Sequence, residues 1–133
     1  MTPLCRRTYN LIRLIEEQNL EPIDIARKAV DVASDKQATD ILLLDIRRLG
    51  TFADFFVILT ADNPRLMNAL KQDLEDALEQ AGAKLHHAEG ITDAGWLLLD
   101  FGDVIIHLFA PQERAFYHLE DLWAKGQQLV RMQ

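Results

Sequence analysis

The hydrophobic and polar positions between residues 22 and 82 predict two helices. The first helix is predicted over residues 23–36, where small apolar residues recur at helical spacing. It is predicted to pack through Ala26, Ala29, Val30 and Ala33. The second helix is predicted to begin at Pro64, with Asn63 as its N-cap, and to end before Gly82. Its buried stripe is predicted to consist of Met67, Leu70, Leu74, Ala77 and Ala81.

Three apolar segments in the first part of the chain predict β-strands. The segments ILLLDI (41–46) and DFFVILT (54–60) are nearly continuous, which is typical of strands covered on both faces. Residues 47–51 between them contain a glycine and predict a turn. The segment AKLHHAE (83–89) predicts a third strand, which ends at Gly90.

The sequence WLLLDFGDVIIHLF (96–109) predicts two further strands, 96–101 and 104–109, that form a hairpin. Gly102 lies at its corner, where a tight turn favours a residue that adopts positive φ. A last short helix is predicted over residues 111–124. The predicted order α-β-β-α-β-β-β-α corresponds to a single α/β domain with a five-stranded mixed sheet flanked by helices.

The chain has 133 residues, the length of one domain. The predicted domain spans residues 22–124, between a helical or disordered N-terminal extension (1–21) and a C-terminal tail (125–133). No apolar run approaches the roughly 18 residues that a membrane span needs. The single cysteine, Cys5, excludes an intramolecular disulfide, and no signal-type apolar core is present, so a cytoplasmic location is expected.

The net charge of the chain indicates which class of molecule it is expected to bind. Fourteen basic and twenty-one acidic residues give a formal net charge of −7. Proteins that bind nucleic acid through its phosphates normally carry a basic patch, and the chain has no Lys/Arg stripe interleaved with aromatic residues. Direct binding of DNA or RNA is therefore not expected, and a basic protein partner fits the charge better.

Histidine and carboxylate side chains are the candidate ligands for a metal ion. His86 and His87 are adjacent on a predicted strand and point to opposite faces, so they cannot easily share one ion with Glu89. Neither a metal site nor a cofactor is expected. His107 lies on an apolar strand and is expected to be a hydrogen-bonded structural residue.

An enzymatic alternative stays open through aspartates at predicted strand ends, which could bind Mg²⁺ for nucleotidyl transfer: Asp40, Asp45, Asp54, Asp100 and Asp103. Against it, the chain has no Gly-rich phosphate loop. Its Asp-Phe-Gly triplet lacks the other kinase motifs, and Ser34 has no nucleophile elbow. No catalytic residues are predicted.

Aromatic residues are concentrated towards the C-terminal end, with Arg114 among them. Trp, Tyr and Arg are the residues that most often carry interface energy. Phe109 and Trp123 are expected to fill the core. Trp96 opens its strand and Phe101 lies at the hairpin corner, so each is either a core residue or partly exposed for a partner.

Four segments resemble the ribosomal silencing factor family, also called RsfS or Iojap: FADFFVILT (52–60), HAEG (87–90), WLLLDFGDVIIHLF (96–109) and RAFYHLEDLW (114–123). The order and spacing agree from about Pro22 to Trp123. The resemblance implies a nucleotidyltransferase-like α/β fold without the active site, and a protein that is not an enzyme.

The resemblance also implies a partner and a mechanism. Members of this family bind the large ribosomal subunit through the large-subunit ribosomal protein numbered fourteen, beside the face where the small subunit docks. They thereby block subunit association and repress translation, and they commonly form homodimers. The implied partner-binding residues are Trp96, Asp100, Phe101, Gly102, Asp103, His107, Arg114, Tyr117 and Leu119.

Within that set the resemblance gives different roles to different residues. Trp96 and Phe101 are the expected apolar anchors, and Gly102 and Asp103 would shape the corner. The chain departs from the family at residues 60–65, where it reads Thr-Ala-Asp-Asn-Pro-Arg instead of Thr-Gly-x-Ser-x-Arg. This difference leaves the role of that loop open.

Overall fold

A computed structural model describes residues 21–49, 53–118 and 126–132. Its helices are α1 (Pro22–Asp35), α2 (Pro64–Gln80) and α3 (Pro111–Tyr117). Its strands are β1 (Thr39–Asp45), β2 (Phe55–Thr60), β3 (His87–Ile91), β4 (Trp96–Asp100), β5 (Val104–Phe109) and β6 (Gln127–Met132). They form one mixed sheet in the order β3-β4-β5-β2-β1-β6, in which β2 and β5 are parallel and the other neighbours are antiparallel.

The prediction of a five-stranded sheet was wrong, because β6 adds a sixth strand where the sequence predicts a tail. β6 pairs antiparallel with β1 at the edge of the sheet, and most of its side chains are exposed. An edge strand of this kind is held mainly by backbone hydrogen bonds, so it lacks the apolar pattern of a buried strand. Only Val130 packs against the core.

The third strand also differs from its prediction. β3 begins at His87, four residues later than expected, and continues through Gly90 to Ile91. All five of its residues are exposed, so neither face of the strand imposes an apolar alternation that would define its ends. Its position is set by pairing with β4.

The first two helices form as predicted, with one change in the packing stripe. The buried residues of α1 are the four small ones that were predicted. In α2, Asn63 caps the helix, since its Oδ1 accepts a hydrogen bond from the Leu66 amide at 2.8 Å. Its buried stripe continues from Leu74 to Leu78, whereas Ala77 and Ala81 are only half-buried.

The two faces of the sheet are covered differently. The helix face packs against α1 and α2, and its core includes Leu43, Val57 and Leu99. The open face carries a second cluster, to which Trp96 and Leu98 are attached at the β4 side: Leu42, Leu44, Ile46, Ala53, Phe56, Ile58, Ile105 and Phe109. Because β2 and β5 lie in the middle of the sheet, every one of their residues is buried.

α3 is shorter than predicted. It ends at Tyr117, and His118 adopts a left-handed conformation (φ 46°, ψ 48°) that closes the helix. The rest of the predicted helix, including Trp123, lies outside the described residues, as do residues 1–20 and Gly50. In the described parts of the chain, no helix is long and apolar enough to cross a membrane.

Candidate partner-binding surface

Aromatic side chains cluster on the open face, at the end of the hairpin away from its corner. Trp96 and Phe109 are cross-strand neighbours, and their rings stack with centroids 5.1 Å apart. Tyr117 of α3 packs against Trp96 at 4.9 Å. Phe116 and Tyr117 leave 78% and 46% of their surface exposed. Exposed aromatic rings on a well-packed base are typical of protein interfaces.

A pocket of about 310 Å³ opens beside these rings. The Trp96 pocket, as we call it, is lined by Glu89, Gly90, Ala94, Trp96, Leu98 and Tyr117. Trp96 and Leu98 are half-buried, so each rests on the core and presents part of its side chain to the pocket. The pocket can therefore accept an apolar side chain of a partner.

One acidic side chain lines the Trp96 pocket, and a second lies against Gly95, next to Trp96 in the chain. Glu89 lines the pocket, and its carboxylate lies 2.8 Å from His87 Nε2. Glu113 of α3 lies against Gly95, where an added Cβ would come within 2.6 Å of Glu113 Oε2. Gly95 has φ +78° and no side chain, so it permits this approach. The carboxylate in the pocket has the sign of the chain's net charge and favours a basic partner.

His107 lies beneath Trp96 and is 4% exposed. Trp96 Nε1 donates a hydrogen bond to His107 Nδ1 at 3.3 Å, and the edge of the Phe56 ring meets the imidazole with centroids 5.0 Å apart. Burial lowers the pKa of His107 from 6.5 to about 4, so the ring is neutral at pH 7. His107 thus has the structural, hydrogen-bonded role expected from the sequence, and it supports the Trp96 ring from below.

The hairpin corner forms a separate region. It lies at the other end of β4 from Trp96, about 13 Å away for a strand of this length. Gly102 has φ +89°, and its amide donates to Asp100 Oδ1 at 2.7 Å. The Asp103 carbonyl accepts hydrogen bonds from the amides of Asp54 and Phe55 at 2.7 and 3.1 Å. These bonds brace the corner and join it to β2.

Phe101 does not have the exposure that an apolar anchor needs. It is 6% exposed and belongs to the core of the helix face. Side chains alternate along a strand, so Leu97, Leu99 and Phe101 point to the helix face, whereas Trp96 and Leu98 point to the open face. Trp96 and Phe101 therefore lie on opposite faces of the sheet, and a role for Phe101 in binding a partner stays a prediction.

Arg114 is also buried, at 5% exposure. Its Nη1 donates to the Asp40 carbonyl at 2.9 Å and to Thr60 Oγ1 at 3.0 Å. The guanidinium is thus directed into the body of the domain, away from the Trp96 pocket. Leu119, the last of the implied partner-binding residues, lies outside the described residues.

The strand-end aspartates have local structural partners. Arg47 donates two side-chain hydrogen bonds to Asp45, and this hydrogen bonding lowers the pKa of the carboxyl. Asp40 lies at the opposite end of β1, where its Oδ1 accepts from Arg131 at 2.9 Å. Among the residues that the structure describes, no group of three or more His, Cys, Asp or Glu could hold a metal ion.

Several residues of the surface could not be assigned from the sequence. Leu98 shares the strand parity of Trp96, and that alternation was the one available signal. Glu89 and Ala94 reach the pocket only because β3 pairs with β4 and the turn before Trp96 folds back. The exposure of Phe116 depends on where α3 ends, which the sequence pattern did not locate.

Comparison with known proteins identifies the family. A family model described as "Ribosomal silencing factor during starvation" matches residues 18–133. The chain belongs to the ribosomal silencing factor family. The Bacillus subtilis ribosomal silencing factor is 35% identical over 99 residues, which cover 74% of this chain and 84% of that protein. The chloroplastic Iojap protein of Zea mays is 40% identical over 83% of this chain and 48% of its own length.

Solved structures of relatives have the same fold. A crystal structure from Chromobacterium violaceum superposes with a TM-score of 0.76 at 30% identity, covering 84% of this chain and 92% of that one. A crystal structure from Bacillus halodurans gives a TM-score of 0.69 at 30% identity, covering 80% of this chain and 97% of that one. The single α/β domain with its six-stranded mixed sheet therefore has the fold of these solved structures.

Proposed function

We propose that this protein binds the large ribosomal subunit through the large-subunit ribosomal protein numbered fourteen, with the Trp96 pocket and the exposed rings of α3 as the contact surface. The supporting observation is an exposed aromatic surface on a chain of the ribosomal silencing factor family. Phe116 and Tyr117 are large apolar side chains whose exposure costs free energy until a partner covers them. Trp96 provides the packed base on which they rest.

Charge supports a ribosomal protein as the partner. The chain carries a net charge of −7, Glu89 lines the pocket, and Glu113 lies against Gly95, next to Trp96 in the chain. Opposite potentials raise the rate of encounter and exclude partners of like charge. Ribosomal RNA, in contrast, would be repelled by this negative charge.

The mechanism is occlusion, without chemistry. A domain that occupies the intersubunit face of the large subunit cannot coexist there with the small subunit, so translation is repressed. In this proposal the protein is not an enzyme and acts in the cytoplasm. The corner residues Asp100, Gly102 and Asp103 contribute by shaping the hairpin.

A homodimer is the second part of the proposal. The exposed rings of Phe116 and Tyr117 could be covered by another copy when no ribosome is present. Sedimentation over a concentration series measures this directly. A monomer throughout the micromolar range would rule out a stable homodimer and leave the ribosomal contact unaffected.

Subunit joining, followed on a sucrose gradient, tests the main proposal. Large subunits are incubated with the wild type, with Trp96→Ala or with Tyr117→Ala before small subunits are added. We expect the wild type to migrate with the large subunit and to reduce the amount of full ribosomes. Trp96→Ala removes the base of the pocket and should cost about 2 kcal/mol or more, about thirty-fold in affinity.

The matched control is Leu129→Ala, which truncates another exposed apolar side chain, on β6 at the far side of the sheet. It should bind as the wild type does. Tyr117→Ala removes a ring that is 46% exposed and keeps the test valid if Trp96→Ala folds poorly. A wild type that stays at the top of the gradient would overturn the function, and full binding by both pocket variants would overturn the site.

A further inference from the structure

We propose that Arg114 is a positioning residue: it fastens α3 to the sheet and so holds Tyr117 over Trp96, without touching the partner itself. This inference rests on the proposed function, since it concerns how the same contact surface is kept in shape. It separates Arg114 from the contact residues with which the family resemblance groups it.

The first observation is where the guanidinium lies. Arg114 is 5% exposed, so a partner that docks on the surface has almost no access to it. Its two hydrogen bonds through Nη1 reach the Asp40 carbonyl at 2.9 Å and Thr60 Oγ1 at 3.0 Å. One side chain of α3 is therefore attached to the adjacent ends of β1 and β2 at once.

The second observation concerns the length and burial of α3, whose residues the structure describes in full. The helix has seven residues, all described, and Arg114 is the one among them that is buried. At its start the Ala110 amide donates to the Gly95 carbonyl at 2.8 Å. A helix this short is not stable by itself, so its contacts with the sheet determine its position.

The third observation links Arg114 to the pocket. Arg114 and Tyr117 are three positions apart and therefore neighbours on one side of the helix. Tyr117 in turn packs on Trp96 at 4.9 Å and on Phe109 at 6.2 Å. Fixing the guanidinium thus fixes the ring that lines the pocket.

Asp40 extends the same arrangement to the sheet edge. Its carboxylate lies between Arg114, at 3.4 Å from Nη2, and Arg131 of β6, whose Nη2 donates to Oδ1 at 2.9 Å. The carboxylate balances the buried charge of Arg114, which would otherwise be costly to bury. The last strand of the sheet is thereby connected to the helix that carries the exposed rings.

A double-mutant cycle on binding to isolated large subunits tests the inference. Arg114→Met, which keeps the apolar stem, should lower affinity about tenfold when Tyr117 is present. In the Tyr117→Ala background the same substitution should change affinity less than about twofold, because the ring it positions is gone. Equal losses in the two backgrounds would show that Arg114 acts independently of Tyr117 and would overturn the inference.

Thr60→Val covers the case in which Arg114→Met does not fold. It removes one acceptor of Arg114 with little change in shape or charge, and it should lower affinity about fivefold. Thr39→Val is the matched control. Thr39 pairs with Thr60 in the sheet, and both residues line a crevice beside Arg114. If both variants bind as the wild type does, the hydrogen bond does not position α3 and the inference fails.

A measurement on the free protein separates this inference from the proposed function. In a Trp123→Phe background Trp96 is the one remaining tryptophan, and its emission reports on the packing of Tyr117. Thr60→Val or Arg114→Met should shift that emission to the red, because the indole ring of Trp96 becomes more exposed to water. Thr39→Val should not shift it. An unchanged emission would overturn the inference even if the wild type binds ribosomes, and a shift would uphold it even if it does not.

Discussion

The two faces of the sheet carry similar side chains and differ in what covers them. On the helix face, α1 and α2 bury Leu43, Val57 and Phe101 completely or nearly so. On the open face, Phe56 and Phe109 are also buried. Trp96 and Leu98, which lie on β4 at one side of this face, are only half-buried. Within the described residues, the helix face is a core of buried side chains, whereas the open face has half-buried side chains at its β4 side.

This difference separates residues that hold the fold from residues that are available to a partner. Trp96 and Phe101 belong to the same hairpin and are both aromatic, yet they lie on opposite faces. The side chain of Phe101 is buried in the core of the helix face. Trp96 retains part of its surface beside a pocket that Glu89 also lines. Stability and affinity measured on the same variants distinguish the two groups of residues.

The largest expected effect is that of Phe101→Ala. Truncating a buried phenylalanine should lower the free energy of unfolding by about 3 kcal/mol, because it leaves a cavity in the helix face. The folded protein should bind large subunits within about twofold of the wild type. Urea denaturation and a binding titration give the two quantities. Normal stability with lost affinity would mean that Phe101 acts at the contact surface after all.

His107 should make the open face sensitive to acid. Its pKa is about 4 in the folded protein and near 6.5 when unfolded, so below pH 6.5 the unfolded chain takes up a proton that the folded protein does not. Stability is therefore lost as the pH falls from 6.5 to 4. Between pH 7 and pH 5 this amounts to about 2 kcal/mol from this residue.

The measurement is urea denaturation at pH 7 and at pH 5. His107→Gln, which retains an acceptor for Trp96 Nε1, should lose less stability over this interval than the wild type does. The exposed His87→Gln serves as the control and should follow the wild type. If His107→Gln shows the full wild-type loss, the acid sensitivity comes from other groups.

Phe116→Ser should have the smallest effect on the fold. The ring is 78% exposed, so the free energy of unfolding should change by less than about 0.5 kcal/mol. Affinity for the large subunit should still fall about fivefold, since the partner would cover this ring. Leu129→Ser on β6 is the matched control and should leave affinity unchanged. Equal affinities for the two variants would move the contact surface away from α3.

The strongest sequence patterns led to the right elements. Periodic small residues placed α1, the Asn63-Pro64 pair placed the start of α2, and the two apolar segments placed β1 and β2. Gly102 marked the hairpin corner because its φ of +89° favours glycine. The edge strands β3 and β6 were misplaced or missed, because exposed strands carry no apolar alternation.

The candidate surface was only partly predictable. The resemblance to the family selected Trp96 and Tyr117, and in the structure the two rings pack together and line one pocket. It also grouped Phe101 and Arg114 with them, although both side chains are buried. A motif records which residues stay together along the chain, and it does not record on which face or at what depth each side chain lies.

The amino-acid sequence by itself determined the family, the class of fold and the acidic character, because these depend on periodicity, turn chemistry and charge that are local or summed over the chain. The tertiary structure decided which aromatic rings are exposed. It placed Phe101 under the helices and left Phe116 in solvent. It also directed Arg114 to Asp40, 74 positions earlier in the chain. Such long-range pairing is fixed by strand order and packing, which no local pattern specifies.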